Sequence, residues 1–71
     1  MKFTIKHENR SRMRIRAAQR KMTYEQADLL EYYLMSLDGV KNVRVHERTC
    51  DAEFTYQGNR SEIIHALQIF H

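Results

Sequence analysis

The stretch Arg12-Met13-Arg14-Ile15-Arg16-Ala17 alternates charged and apolar side chains without interruption. A strand sends successive side chains to opposite faces, so Met13, Ile15 and Ala17 share one face and Arg12, Arg14 and Arg16 the other. A helix could not separate two sets whose period is two. The pattern predicts a central strand with one buried face and one basic face. The rest of the chain must cover the first and leave the second open.

Phe3 and Ile5 alternate with Lys2, Thr4 and Lys6, which predicts a short strand over 2–6. The polar connection His7 to Ser11 leads directly into the arginine strand, as in an antiparallel hairpin. Its buried face would collect Phe3, Ile5, Met13 and Ile15, and its outer face Lys2, Lys6, Arg12, Arg14 and Arg16. Like charges across a strand pair destabilise it, so these termini are expected to splay into water or to meet an acidic partner.

Thr23 followed by Gln26 is a capping-box pattern and predicts a helix start. Ala27, Leu30, Leu34 and Leu37 recur at helical spacing with Tyr33 beside them, and Gly39 is expected to cap a helix ending near Asp38. Val43 and Val45 alternate with Arg44 and His46, and Ala52, Phe54 and Tyr56 alternate with Glu53 and Thr55, predicting a second hairpin. Asn59 with Glu62 repeats the capping logic for a last helix whose buried stripe is Ile63, Ala66, Leu67 and Phe70.

The order is strand, strand, helix, strand, strand, helix. Four antiparallel strands with two helices on one face make a two-layer α+β sandwich. Moving the last strand of a ferredoxin-like unit to the front gives this order, so the expectation is a permuted ferredoxin-like sheet with spatial order first, second, fourth, third. At 71 residues the chain is expected to form a single domain over 1–71 with a thin core. No apolar run approaches the roughly 20 residues that cross a bilayer, and the basic start lacks the apolar segment of a signal peptide. The chain itself is expected to be neither inserted nor secreted. Cys50 is the only cysteine, which excludes an internal disulfide.

Charge is unevenly placed. Residues 1–21 carry eight Lys or Arg against Glu8, whereas residues 22–71 carry four against eight acids. Such asymmetry bears on partners rather than on fold.

Arg12 to Arg16, the Leu37-Asp38-Gly39-Val40 run after the Leu-rich helix, the strand Asn42 to His46, and Arg48-Thr49 in the following turn together resemble a known pattern. They are similar to the N-terminal heavy-metal-associated-like domains of bacterial heavy-metal-translocating P-type ATPases, over about Lys2 to Phe70. The resemblance implies the N-terminal part of a longer membrane protein, a cytosolic domain ahead of the membrane helices on the cytoplasmic face of the cell membrane. Members that carry copper or zinc hold it with two cysteines in the loop after the arginine strand. Here that loop reads Ala17, Ala18, Gln19, Arg20, Lys21, Met22 and offers no thiolate. A regulatory or docking role is expected in place of metal carriage, with the pump's other cytosolic domains or an acidic protein surface as partner.

His7, His46, Cys50, His65 and His71 are the imidazole and thiol ligands present, without a paired motif such as C-x-x-C. His46 and Cys50 straddle one turn and are the candidates for weak transition-metal binding, although a surface histidine and a lone cysteine are usually incidental. The partner-binding candidates are Arg12, Arg14, Arg16, Lys2, Lys6 and Arg44, against the plain reading of a solvated charged face. A basic sheet also invites nucleic acid as an alternative, but Phe3, Phe54 and Tyr56 share the parity of the core and leave no stacking platform. Nothing resembles a catalytic set, and no glycine precedes Gly39 to cradle a phosphate. The chain is read as non-enzymatic. Tyr24, Tyr32 and Tyr33 are a further candidate patch, with Tyr33 expected in the core and Tyr32 half exposed.

Overall fold

In the computed structural model, which describes all 71 residues, the elements run β1 (Phe3–Glu8), β2 (Arg12–Ala17), α1 (Tyr24–Met35), β3 (Val40–His46), β4 (Asp51–Tyr56) and α2 (Arg60–Ile69). The four strands form one antiparallel sheet in the order β1-β2-β4-β3, an α+β architecture compatible with two layers. Met13, Ile15 and Ala17 of β2 and Ala52, Phe54 and Tyr56 of β4 are buried in one cluster with Ala27, Leu30 and Leu34 of α1 and Ile63 and Leu67 of α2. Phe3 and Ile5 pack against that cluster from edge strand β1 and stay partly buried. The other face of the sheet has no helix over it. Period two in the strands and the i, i+3, i+4 spacing in the helices thus meet in a single core.

The turns are set by local chemistry. Asn9 Oδ1 accepts from the backbone N–H of Ser11 at 3.2 Å and of Arg12 at 3.0 Å, reversing the chain between β1 and β2. β1 reaches Glu8, beyond the Lys6 boundary expected from alternation, because a bulge between Ile5 and His7 lets the pairing continue. Thr23 and Gln26 form the expected reciprocal cap, with bonds of 3.0 and 2.9 Å. At α2, Asn59 caps through Ser61 N at 2.9 Å, and Glu62 makes no return bond.

α1 stops at Met35 with Ser36 as its cap, about one turn before the expected end near Asp38. Leu37 is left half-buried in the connection. Gly39 adopts φ +82° there, and a Cβ at that position would lie 2.3 Å from the carbonyl oxygen of Gln57. Glycine is required twice over, by the left-handed backbone and by the approach of the neighbouring chain. Gly58 adopts φ +100° but has open space around it. Gly39→Ala is therefore expected to destabilise the domain well beyond the roughly 1 kcal/mol that left-handed backbone alone costs, and Gly58→Ala by about that amount. Urea unfolding of both variants checks the difference; equal losses would contradict the steric account of Gly39.

The arginine face as candidate functional site

Cross-strand partners share a face, which places Thr4 and His7 of β1, Arg12, Arg14 and Arg16 of β2, Asp51, Glu53 and Thr55 of β4, and Arg44 and His46 of β3 on the open side. Asp51 sits at the centre of this group. Arg16 donates to it through two nitrogens, Nε to Oδ1 at 2.6 Å and Nη2 to Oδ2 at 3.2 Å. Arg14 Nε reaches Oδ2 at 2.9 Å from the diagonal position. The Asp51 side chain is 1% exposed, while those of Arg14 and Arg16 remain 41% and 45% exposed. The guanidinium of Arg16, and after it that of Arg14, holds the Asp51 carboxyl below its ordinary range against the opposing effect of burial. The same contact raises the pKa of Arg16.

Glu53 forms a looser second centre. Arg12 Nη2 lies 3.4 Å from it, Arg14 Nη1 3.9 Å and His46 Nε2 3.8 Å. Arg44 is directly opposite Glu53 across the sheet yet enters no salt bridge and is exposed. Of the two expected outcomes for the row, splaying into water or meeting an acid, Arg14 and Arg16 take the second. Arg14 and Arg16 find their acidic partner inside the chain, whereas Arg12 and Arg44 stay largely open to solvent.

The remaining candidates are dispersed. Lys6 is the extra residue of the β1 bulge with no partner on β2, and His7 stands across from Arg14 instead. Lys2 precedes β1, and its carbonyl accepts from Ala18 N at 2.9 Å. Cys50 is buried in the helix-side cluster with φ +62°, and its Sγ lies 4.0 Å from the Glu47 carbonyl oxygen. His46 is on the open face beside Glu53, so the structure does not bring these two candidate ligands together. No group of three or more His, Cys, Asp or Glu side chains is arranged to hold a metal ion. Phe54 and Tyr56 are buried, leaving no Phe or Tyr ring on the open face, where the imidazoles of His7 and His46 are the only rings.

No family model, curated protein or solved structure matches this chain. No helix is long and apolar enough to cross a membrane.

A second ionic group was not anticipated from sequence. Glu8 accepts from the Tyr56 hydroxyl at 3.0 Å and from Arg60, tying the ends of β1 and β4 to the first turn of α2. Arg60 lowers the Glu8 pKa, while burial and the Glu8 carboxylate raise that of Tyr56. The bulge after Ile5 is what turns Glu8 toward this group, a change of face that simple alternation does not reveal.

Asp51 makes a testable demand on stability. A native carboxylate held below its unfolded value binds fewer protons than the unfolded chain, so its contribution is complete above the ordinary value of 3.8 and disappears as pH falls through the lower native value. Asp51→Asn keeps the shape and removes the charge. It is expected to cost on the order of 1–3 kcal/mol near neutral pH and to flatten the fall in stability below pH 3.8, as measured by urea unfolding across pH.

Proposed function

We propose that this chain is a non-enzymatic docking domain of a heavy-metal-translocating P-type ATPase, a permuted ferredoxin-like sandwich whose open sheet face takes an acidic surface of the pump's cytosolic part. The docking half of this reading rests on one observation. The face carries Arg12, Arg14, Arg16 and Arg44 against only Asp51 and Glu53, with the guanidiniums of Arg14 and Arg16 held in place by a buried carboxylate. A fixed guanidinium loses less side-chain freedom on meeting a carboxylate than a mobile one, and the side chains of Arg14 and Arg16 remain 41% and 45% exposed.

The pump half rests on the motif resemblance. Arg12 to Arg16 frames the face, Gly39 makes the turn that only glycine allows, and Arg48-Thr49 lies in the connection between β3 and β4. Without thiolates in the segment 17–22, the domain acts on the pump by contact and carries no metal there.

The burial of Phe54 and Tyr56 leaves the face without the Phe or Tyr platform on which sheet-based RNA-binding modules stack bases, which disfavours that mode of recognition. Arg12→Glu combined with Arg44→Glu reverses two exposed arginines of the face that lie outside the Asp51 clamp. In the product of the complete reading frame, that pair is expected to change metal-stimulated ATP hydrolysis several-fold in washed membranes. An unchanged response would remove the docking role. A product found only in the soluble fraction would remove the pump assignment.

A further inference from the structure

α1 is apolar on two sides. Ala27, Leu30 and Leu34 face the core, yet Tyr24, Leu29, Tyr32 and Met35 are 75%, 61%, 77% and 64% exposed. Tyr32 is therefore well clear of the half-covered position expected from sequence. At 100° per residue Glu25, Asp28, Leu29 and Tyr32 lie on the side of the helix opposite its buried stripe, with Tyr24 and Met35 on the flank of that side. No Lys or Arg occurs anywhere between Met22 and Val40, whereas Glu25, Asp28, Glu31 and Asp38 do. This is an acidic, tyrosine-bearing surface on an element whose partners lie only behind it.

The arginine face is its complement in charge and chemistry. Arginine forks pair with carboxylates and stack on tyrosine rings, and both groups alternate along the outer side of α1. The helices cover one side of the sheet and the arginines the other, so the two surfaces point away from each other within one molecule. They cannot meet in the same chain.

We infer that the open arginine face of one copy docks on the outer side of α1 of a second copy. The inference rests on the reading of that face as an acceptor of acidic surfaces, and it names a second copy of this chain as one such surface. The contact is heterologous, because the patch used by one copy differs from the patch used by the next. Each added copy leaves one arginine face and one α1 face unsatisfied, so association continues past the dimer into short open chains. Charge drives much of it, and added salt weakens it.

Sedimentation velocity of the purified chain over a wide concentration range, at low and at high salt, tests this. The expected result is a mass that rises with concentration beyond two copies and returns to the monomer in high salt. Tyr32→Ala with Asp28→Lys disables the helix surface, and Arg12→Glu with Arg44→Glu disables the sheet surface. Circular dichroism confirms that both variants fold. Each alone is expected to remain monomeric, and a mixture of the two to form a dimer that grows no further, since one intact surface of each kind is present.

A wild-type chain that is monomeric throughout, a particle that stops at two copies, or association surviving either pair of substitutions would overturn the inference. Binding of a fluorescent poly-glutamate peptide by the wild-type chain at low salt, lost with Arg12→Glu and Arg44→Glu, separates the two ideas. Peptide binding without self-association would leave the acid-accepting face standing and remove only the second copy as its partner. Absence of both would remove both.

Discussion

The contact of Asp51 with Arg14 and Arg16 decides what the open side of this sheet is. Two arginines two residues apart on one strand repel each other, and a carboxylate with almost no exposure would be costly if left unpaired. Each problem resolves the other. Asp51 lies across from Arg16 and diagonal to Arg14 on β2, with His46 opposite it on β3, where it neutralises part of the row. The strand pair β2–β4 therefore joins the two faces of the domain. Ala52 and Phe54 anchor the core on one side, and Asp51 and Glu53 orient the basic row on the other.

The edges are managed by different means. β1 carries the Lys6 bulge and β3 has an irregularity between Lys41 and Arg44, with Asn42 at φ +55°. Interrupted ladders with lysine nearby discourage edge-to-edge pairing with another chain. Charge on the edges is thereby accounted for by the sheet's own requirements. Arg12, exposed on the interior strand β2, is not. The basic first third supplies Arg12, Arg14 and Arg16 of the open face, while the acidic remainder divides between Glu25, Asp28 and Glu31 on α1 and Asp51 and Glu53 beside the arginines.

Much of this was legible before any coordinates. Strict alternation in Arg12 to Ala17 assigned both faces of β2, and the Thr23–Gln26 and Asn59 caps started both helices in the right place. The internal partner of the arginines was within reach as well. Once β2 and β4 are neighbours, the alternation that buries Ala52 and Phe54 must put Asp51 and Glu53 beside the row. What alternation could not reveal is a break in itself. The bulge after Ile5 moves Glu8 to the helix side, where Tyr56 and Arg60 meet it, and nothing local in the residues 5–7 announces an extra residue. The early end of α1 has a similar origin, since Leu37 keeps the apolar spacing of the helix after the backbone has left it. His46 and Cys50 were close in sequence, but the left-handed Cys50 backbone belongs to a turn that leaves its thiol in the core.

The titration of the Asp51 carboxyl, followed by carbon-13 NMR together with the side-chain Nε–H signals of the arginines, tests the central claim most directly. The account requires a midpoint below the ordinary 3.8, with the Arg14 and Arg16 Nε–H signals protected from exchange above it and released in step with it. A carboxyl that titrates at or above 3.8, or Arg14 and Arg16 signals that exchange as fast as that of Arg12, would mean that no clamp exists and that the row is an ordinary solvated face.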